Sequence, residues 1–223
     1  MSKGIVVLSG GLDSTTLLHY IVKEHVEDGV VALSFNYGQR HSKELECAAY
    51  NAKLLKVEHK VIDISFLSEV VKDVSALAGH SSVEMPTITQ AKGDAQPVTY
   101  VPNRNMILLN IAVAVAESIG AEAVFYGAQA HDLYGYWDCT KGFVQRLNEV
   151  LQLNRKSPVR IYAPFVDYSK AAVVALGAKL GVPFGRTWSC YKGGEKACGT
   201  CPTCAERLRA FAESGVKEEL EYE

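Results

Sequence analysis

Two groups of residues in this sequence have the types and spacing for chemistry. The first is Ser9-Gly10-Gly11-Leu12-Asp13-Ser14, followed by Thr15. Adjacent glycines let backbone N–H groups approach an oxyanion closely, and a helix beginning here would add its positive dipole end. Ser9, Ser14 and Thr15 offer hydroxyl donors, so the loop reads as a phosphate cradle. It lacks the lysine of the Gly-x-x-x-x-Gly-Lys-Ser/Thr loop and the spacing of Gly-x-Gly-x-x-Gly. Asp13 is the unusual member. A carboxylate beside phosphate is repelled unless a cation intervenes, which points to Mg²⁺ bridging Asp13 and the phosphates. The plain alternative is a Gly-Gly turn with Asp13 capping a helix.

The second group is Cys190, Cys198, Cys201 and Cys204, four of the six cysteines within fifteen residues. Two overlapping Cys-x-x-Cys steps, with Gly199 and Pro202 making turns, suit thiolates that converge on one point. Four such ligands with no open position predict a closed structural Zn²⁺ site rather than a catalytic one. A redox pair or unrelated thiols are the competing readings. Cys47 falls in the apolar stripe of a helix and reads as a packing residue.

Elements must position these groups. Gly4–Leu8 is a short apolar, β-branched run, as expected of a strand buried on both faces. Helices are predicted over 15–23, 42–55, 66–77, 102–119, 142–154, 168–180 and 205–214, and strands over 30–37, 60–64, 123–126 and 159–163. Residues 79–98 are rich in Ser, Thr, Gly and Pro without a period, and read as a lid or insertion. The acidic tail Glu218–Glu223 reads as frayed. Alternating strands and helices predict a doubly wound α/β fold with a mostly parallel sheet, over residues 1–187, with residues 188–223 as a zinc-binding segment packed on it.

Ligands of such a sheet bind beyond the carboxyl ends of its strands. Several further residues fall there. Gln39, Arg40 and His41 follow the second strand, where an adenine or substrate edge would lie, or where one of them caps the next helix. Arg104 precedes an apolar helix and could hold a phosphate or carboxylate in two-point contact, or serve as a cap or surface ion pair. Lys170 could close over pyrophosphate or be a solvated lysine. The loop with His131, Asp132, Tyr134, Tyr136, Trp137 and Asp138 mixes aromatics and carboxylates, which suits a flat purine-like ring, or is simply a packed loop.

Ser-Gly-Gly-Leu-Asp-Ser resembles the pyrophosphatase loop of the N-type ATP pyrophosphatases, which transfer AMP to a substrate oxygen. With the cysteines, and with Tyr37-Gly38-Gln39-Arg40-His41, Val101-Pro102-Asn103-Arg104-Asn105, Asp138-Cys139 and Ser169-Lys170-Ala171, nearly the whole chain is similar to the 7-cyano-7-deazaguanine synthase family. The resemblance implies adenylation of 7-carboxy-7-deazaguanine, displacement of AMP by ammonia, and a second adenylation that yields the nitrile. It implies catalytic roles for Asp13, Lys170 and Arg104. It implies an ATP site drawn from Leu8, Ser9, Gly10, Gly11, Leu12, Asp13, Ser14, Thr15, Phe35, Gln39, Arg40 and Gly127. Substrate contacts would come from Arg104, Asp132, Tyr136 and Asp138, and a homodimer is implied. The pattern departs at Trp137, where the family has Pro, and at Thr140, where it has Arg. A related enzyme that stops at the amide, or joins the deazapurine to another amine, is the corresponding alternative.

Bulk properties narrow the classes. The net charge of −2 disfavours a large nucleic-acid surface, and with it a tRNA thiolase. No run approaches the roughly 18 apolar residues of a membrane span. There is no signal-peptide pattern, and the crowded cysteines fit a reducing cytoplasm. Ser2 in place of a cysteine disfavours a glutamine-dependent amidotransferase and leaves free ammonia as the nitrogen source. A zinc-knuckle binding module without catalysis is disfavoured by the intact loop.

Overall fold

The computed structural model describes residues 3–24, 29–39, 43–79, 81–85, 97–129, 136–156 and 159–223. Five parallel strands form one sheet in the order β3-β2-β1-β4-β5. They are β1 (Gly4–Val7), β2 (Val30–Asn36), β3 (Glu58–Asp63), β4 (Ala123–Phe125) and β5 (Arg160–Tyr162). β1 is central because its residues are apolar in both directions. Ile5 and Val7 enter one core and Val6 and Leu8 the other, all at most 8% exposed. Edge strand β3 instead has no fully buried residue and mixes half-buried with exposed positions.

Helices α1 (Leu12–Glu24), α2 (Lys43–Leu54), α6 (Lys170–Leu180) and α7 (Pro202–Ser214) cover the face of Val6 and Leu8. Helices α3 (Phe66–Val71), α4 (Arg104–Ile119) and α5 (Lys141–Leu151) cover the face of Ile5 and Val7. The doubly wound parallel sheet expected from the alternation is present. α4 stops at Gly120, whose φ of 70° lets its N–H return to Ala116 and Glu117. The predicted helix over 66–77 is shorter: it ends at Val71 and gives way to turns that bring Ala78 beside Gln39. The Ser42 cap and residues 86–96 of the expected lid lie outside the described residues.

One expectation is overturned. The tail Glu218–Glu223 is not frayed: Leu220 and Tyr222 pack on the cysteine cluster, and Tyr222 pairs with Ala197. Glu218 is ion-paired with Arg207, a side chain only 2% exposed. The acidic composition reads as solvated, but a buried guanidinium supplies its counter-charge.

Candidate active site

β1 delivers the chain to the loop Ser9–Gly11, and α1 begins at Leu12. The loop is held by its own hydroxyls. Ser9 N donates to Ser14 Oγ at 3.1 Å, the two hydroxyls lie 2.9 Å apart, and Gly11 N donates to Ser9 Oγ at 3.2 Å. Gly10 has φ 87°, and a Cβ there would meet the carbonyl oxygen of Glu44 at 1.9 Å. Only glycine lets this turn lie against α2. Behind the loop, a Cβ on Gly127 would lie 3.3 Å from Ser14 N, so the end of β4 also closes on α1.

A cavity of about 260 Å³ opens over this loop, at the point where the strand order turns from β1 to β4. Ser9, Gly11, Leu12, Asp13 and Ser14 form its floor, with Gly127 beside them. Lys170, the first residue of α6, reaches across to Asp13, Nζ to Oδ2 2.8 Å. It also lies 3.6 Å from Oε2 of Glu206, a carboxylate only 6% exposed. The other oxygen of Asp13, Oδ1, is buried without a hydrogen-bond partner. A buried orphan acceptor is costly, and a cation at this point would satisfy it. The loop therefore fits a divalent ion held by Asp13.

The opposite wall carries Tyr37, Gln39, Glu44, Arg104, Tyr126 and Tyr191. Arg104 sits just after Asn103, which holds the left-handed backbone (φ 55°) that starts α4. Its guanidinium carbon is 5.8 Å from the Tyr37 ring centre. Burial works against its charge, but Tyr37, Tyr191, Tyr126 and Asp138 outweigh burial and hold it cationic. Burial pushes the Glu44 carboxyl up to about 7, and Arg104 partly opposes the rise. Asp138 is likewise raised by burial against the pull of Arg104 and Asn105.

The expected residues divide into four groups, and Gly10, also expected in the ATP site, is buried against α2 rather than on the wall. Ser9, Gly11, Leu12, Asp13, Ser14, Gln39, Arg104, Gly127 and Lys170 share the cavity. Leu8 and Phe35 are core residues, and the Thr15 side chain is fully buried with its hydroxyl unpartnered, so these three stand behind the wall. Asp138 is buried behind Arg104, and Tyr136 bonds Thr99 Oγ1 at 2.6 Å, so neither is on the cavity wall. Arg40, His41, His131, Asp132 and Tyr134 lie outside the described residues. Several wall residues were not singled out from sequence, among them Tyr126, Gln129, Glu44, Tyr191, Glu206 and Arg207. Glu44 looks like the polar side of an amphipathic helix, and Glu206 like an ordinary helix carboxylate; neither carries a signal until the fold turns it inward.

The four cysteine sulfurs lie within 4.8 Å of one another, and all four residues are buried. Cys198 N donates to Cys190 Sγ at 3.4 Å, and Cys201 N to Cys198 Sγ at 3.3 Å. A tetrahedral ion with metal–sulfur bonds of about 2.3 Å fits such a cluster. The segment entering it is tied to the phosphate loop, because Trp188 N donates to Gly10 O at 3.0 Å. Residues 188–207 thus build part of the cavity wall as well as a thiol cluster.

The fold and site define a doubly wound α/β protein with a glycine-bearing loop after the first strand and a C-terminal segment whose four converging thiols could hold a metal ion. The chain belongs to the queuosine biosynthesis protein QueC family, whose model matches residues 3–215. It is 46% identical over 223 residues to 7-cyano-7-deazaguanine synthase 1 of Colwellia psychrerythraea, covering 99% of both chains. It is 47% identical over 219 residues to 7-cyano-7-deazaguanine synthase of Archaeoglobus fulgidus, covering 98% of this chain and 89% of that one. Among solved structures, a predicted subunit of a tRNA methyltransferase from Methanocaldococcus jannaschii superposes with a TM-score of 0.50 at 16% identity, over 100% of this chain and 94% of that one. That likeness concerns the fold alone.

Proposed function

We propose that this chain is an ATP-dependent carbon–nitrogen ligase that converts 7-carboxy-7-deazaguanine and ammonia to 7-cyano-7-deazaguanine. The observation that carries this reading is the meeting of the phosphate loop, Lys170 and Arg104 around one cavity, in a chain of this family. ATP would lay its phosphates over Ser9–Ser14. Mg²⁺, held by Asp13, would neutralise phosphate charge. Lys170 would leave its ion pair with Asp13 for the pyrophosphate, so each exchanges one charged partner for another. Arg104, cationic and rimmed by tyrosines, would hold the substrate carboxylate towards the α-phosphorus.

The substrate oxygen then attacks that phosphorus and pyrophosphate leaves. Ammonia adds to the acyl carbon, the carbon–oxygen bond to AMP breaks, and a proton is released as the amide forms. The amide oxygen attacks a second ATP. Pyrophosphate leaves again, and loss of AMP, which keeps the amide oxygen, together with both N–H protons leaves the nitrile. Trp137 and Thr140, the two departures from the family pattern, are used structurally. Trp137 Nε1 donates to Tyr100 Oη at 3.0 Å, and Thr140 Oγ1 accepts from Phe143 N to cap α5. Neither is on the cavity wall, which favours the nitrile over the amide as end product.

Zinc is the ion this reading assigns to the thiol cluster, as a structural element. A homodimer acting in a reducing cytoplasm belongs to the same reading; none of the six cysteines is in a disulfide, and the pairing rests on the family resemblance. Sedimentation of the purified chain tests the dimer. The reaction is tested by supplying 7-carboxy-7-deazaguanine, ATP and ammonium, and measuring nucleotide and base products. Two AMP and two pyrophosphate per nitrile are expected. ADP would overturn the adenylation chemistry, and amide without nitrile would overturn the product.

A further inference from the structure

A second cavity, about 180 Å³, lies on the far side of Lys170 from the first. Gln129, Lys170 and Glu206 line both, so these three side chains form the partition between them. The outer part is walled by Tyr168 and Ser169, at the start of α6, and by Glu213, whose exposed carboxylate pairs with Arg209 at 3.6 Å. Two features of the partition stand out. Glu206 is a buried carboxylate, 6% exposed, facing Lys170. Gln129 is 7% exposed, and its amide nitrogen is buried with no hydrogen-bond partner.

An unpartnered buried amide N–H is costly, and native proteins rarely leave one without use. Its complement is a small hydrogen-bond acceptor. The buried carboxylate beside it attracts a small cation or hydrogen-bond donor. One molecule is both in turn: ammonium donates to a carboxylate, and ammonia accepts through its lone pair. It is also about the size of a water, which a cavity of this volume admits easily.

We propose that this second cavity is the entry site for ammonia, with Glu206 as the ammonium-binding group and Gln129 as the acceptor-side contact. The inference rests on the proposed use of free ammonia. Ammonium binds against Glu206, and one N–H bond breaks with its proton passing to the Glu206 carboxylate. The electron pair stays on nitrogen, where Gln129 can donate to it. Neutral ammonia then crosses the partition and adds to the acyl carbon. Until ATP is cleaved, the positive charge of Lys170 stands in that partition and disfavours entry of the cation. When Lys170 turns to pyrophosphate it also leaves Glu206, so the site becomes available after ATP has been cleaved.

The test compares wild type with Glu206→Gln and Gln129→Leu by two assays. One is the exchange of labelled pyrophosphate into ATP with 7-carboxy-7-deazaguanine and no ammonium, which reports the first adenylation alone. The other is amide and nitrile formation over a range of ammonium concentrations. Loss of one charged contact predicts that Glu206→Gln raises the KM for ammonium at least about tenfold. Gln129→Leu, which keeps the volume and removes the donor, should raise it about threefold or more on the same grounds. Exchange should fall by a smaller factor than ammonium use in both, because both residues also line the ATP cavity but the first adenylation needs no ammonia. An unchanged ammonium KM in both variants would overturn the proposal, as would equal losses in exchange and in ammonium use. If wild type itself shows no dependence on ammonium, the proposed reaction fails first, and that outcome is read from wild type alone.

Discussion

Arg207 and Glu218 meet in a two-point contact inside the protein, Nε to Oε2 at 2.7 Å and Nη2 to Oε1 at 3.0 Å. Arg207 also donates to Thr187 Oγ1 at 2.7 Å and to the carbonyl of Phe184 at 2.9 Å. Its neighbour in sequence, Glu206, faces the active-site cavity, so the pair orients α7 and with it the cavity wall.

Removing one partner leaves a buried charge. Glu218→Gln should therefore destabilise the protein by about 3–5 kcal/mol, read as a shift in the urea midpoint. The pH dependence follows from the sign of the shift. Burial raises the Glu218 carboxyl, but hydrogen bonding and charge from Arg207 outweigh burial and hold it below its ordinary value. Its stabilisation is thus full above the unfolded value near pH 4.5 and is lost as pH falls through the lower folded value. Wild type should lose this component on acidification, and Glu218→Gln should not.

Asp13 contacts Lys170 and leaves its second oxygen unpartnered. Asp13→Ala should lower turnover at least about a hundredfold, since it removes a preorganised charge at the phosphates. The side chain is at the mouth of α1 rather than in the core, so the unfolding temperature should stay near that of wild type. Calorimetry and AMP release measured on the same sample check both halves. Retained turnover would remove Asp13 from the mechanism.

Cys201→Ser should release bound zinc and lower stability, because the binding free energy of a structural metal is folding free energy. Metal content by mass spectrometry and the thermal midpoint are the readouts. Through the bond from Trp188 to Gly10, the same variant should also weaken ATP binding, measured by calorimetry. A zinc-free variant with wild-type stability would contradict a structural role.

Glu44 titrates near neutrality. Burial raises its carboxyl to about 7, above the unfolded value near 4.5, so the neutral form is favoured on folding. Its contribution to stability is full below pH 4.5 and is lost as pH rises through about 7. Glu44→Gln should remove that decline. The wild-type stability curve should fall relative to the variant between those values by about 1–3 kcal/mol. Parallel curves for the two proteins would contradict it.

The architecture was legible because its signals are local. The apolar run Gly4–Leu8, the glycines of the loop and the stop at Gly120 each act within a few residues. The floor of the site was legible for the same reason, since Ser9–Ser14 is contiguous. The rest was not, because it depends on contacts between distant parts of the chain. Lys170 is 157 residues from Asp13, and its helix-start position alone does not distinguish an ion pair from a solvated end. Glu44 becomes a wall residue only because Gly10 lets α2 approach the loop. The tail misled for a related reason: its counter-charge, Arg207, sits in a helix that looks amphipathic, with no sign that the guanidinium is covered. Gly10 itself was visible as a glycine, but its closeness to Glu44 O was not.

The order of the strands has a consequence for how the enzyme comes into being. β1 and its loop are translated well before β4, their neighbour in the sheet, which begins at residue 123, and the bond that ties the loop to Trp188 needs a residue translated later still. Domains form as units during vectorial synthesis. A nascent chain that ends short of Glu206 can carry a complete phosphate loop and still lack one side of the chamber in which it would act. On the proposed function, competence to activate a substrate would be withheld until residues 188–207 have emerged and folded back, so a chain interrupted before that point would be an inert protein rather than a wasteful consumer of ATP.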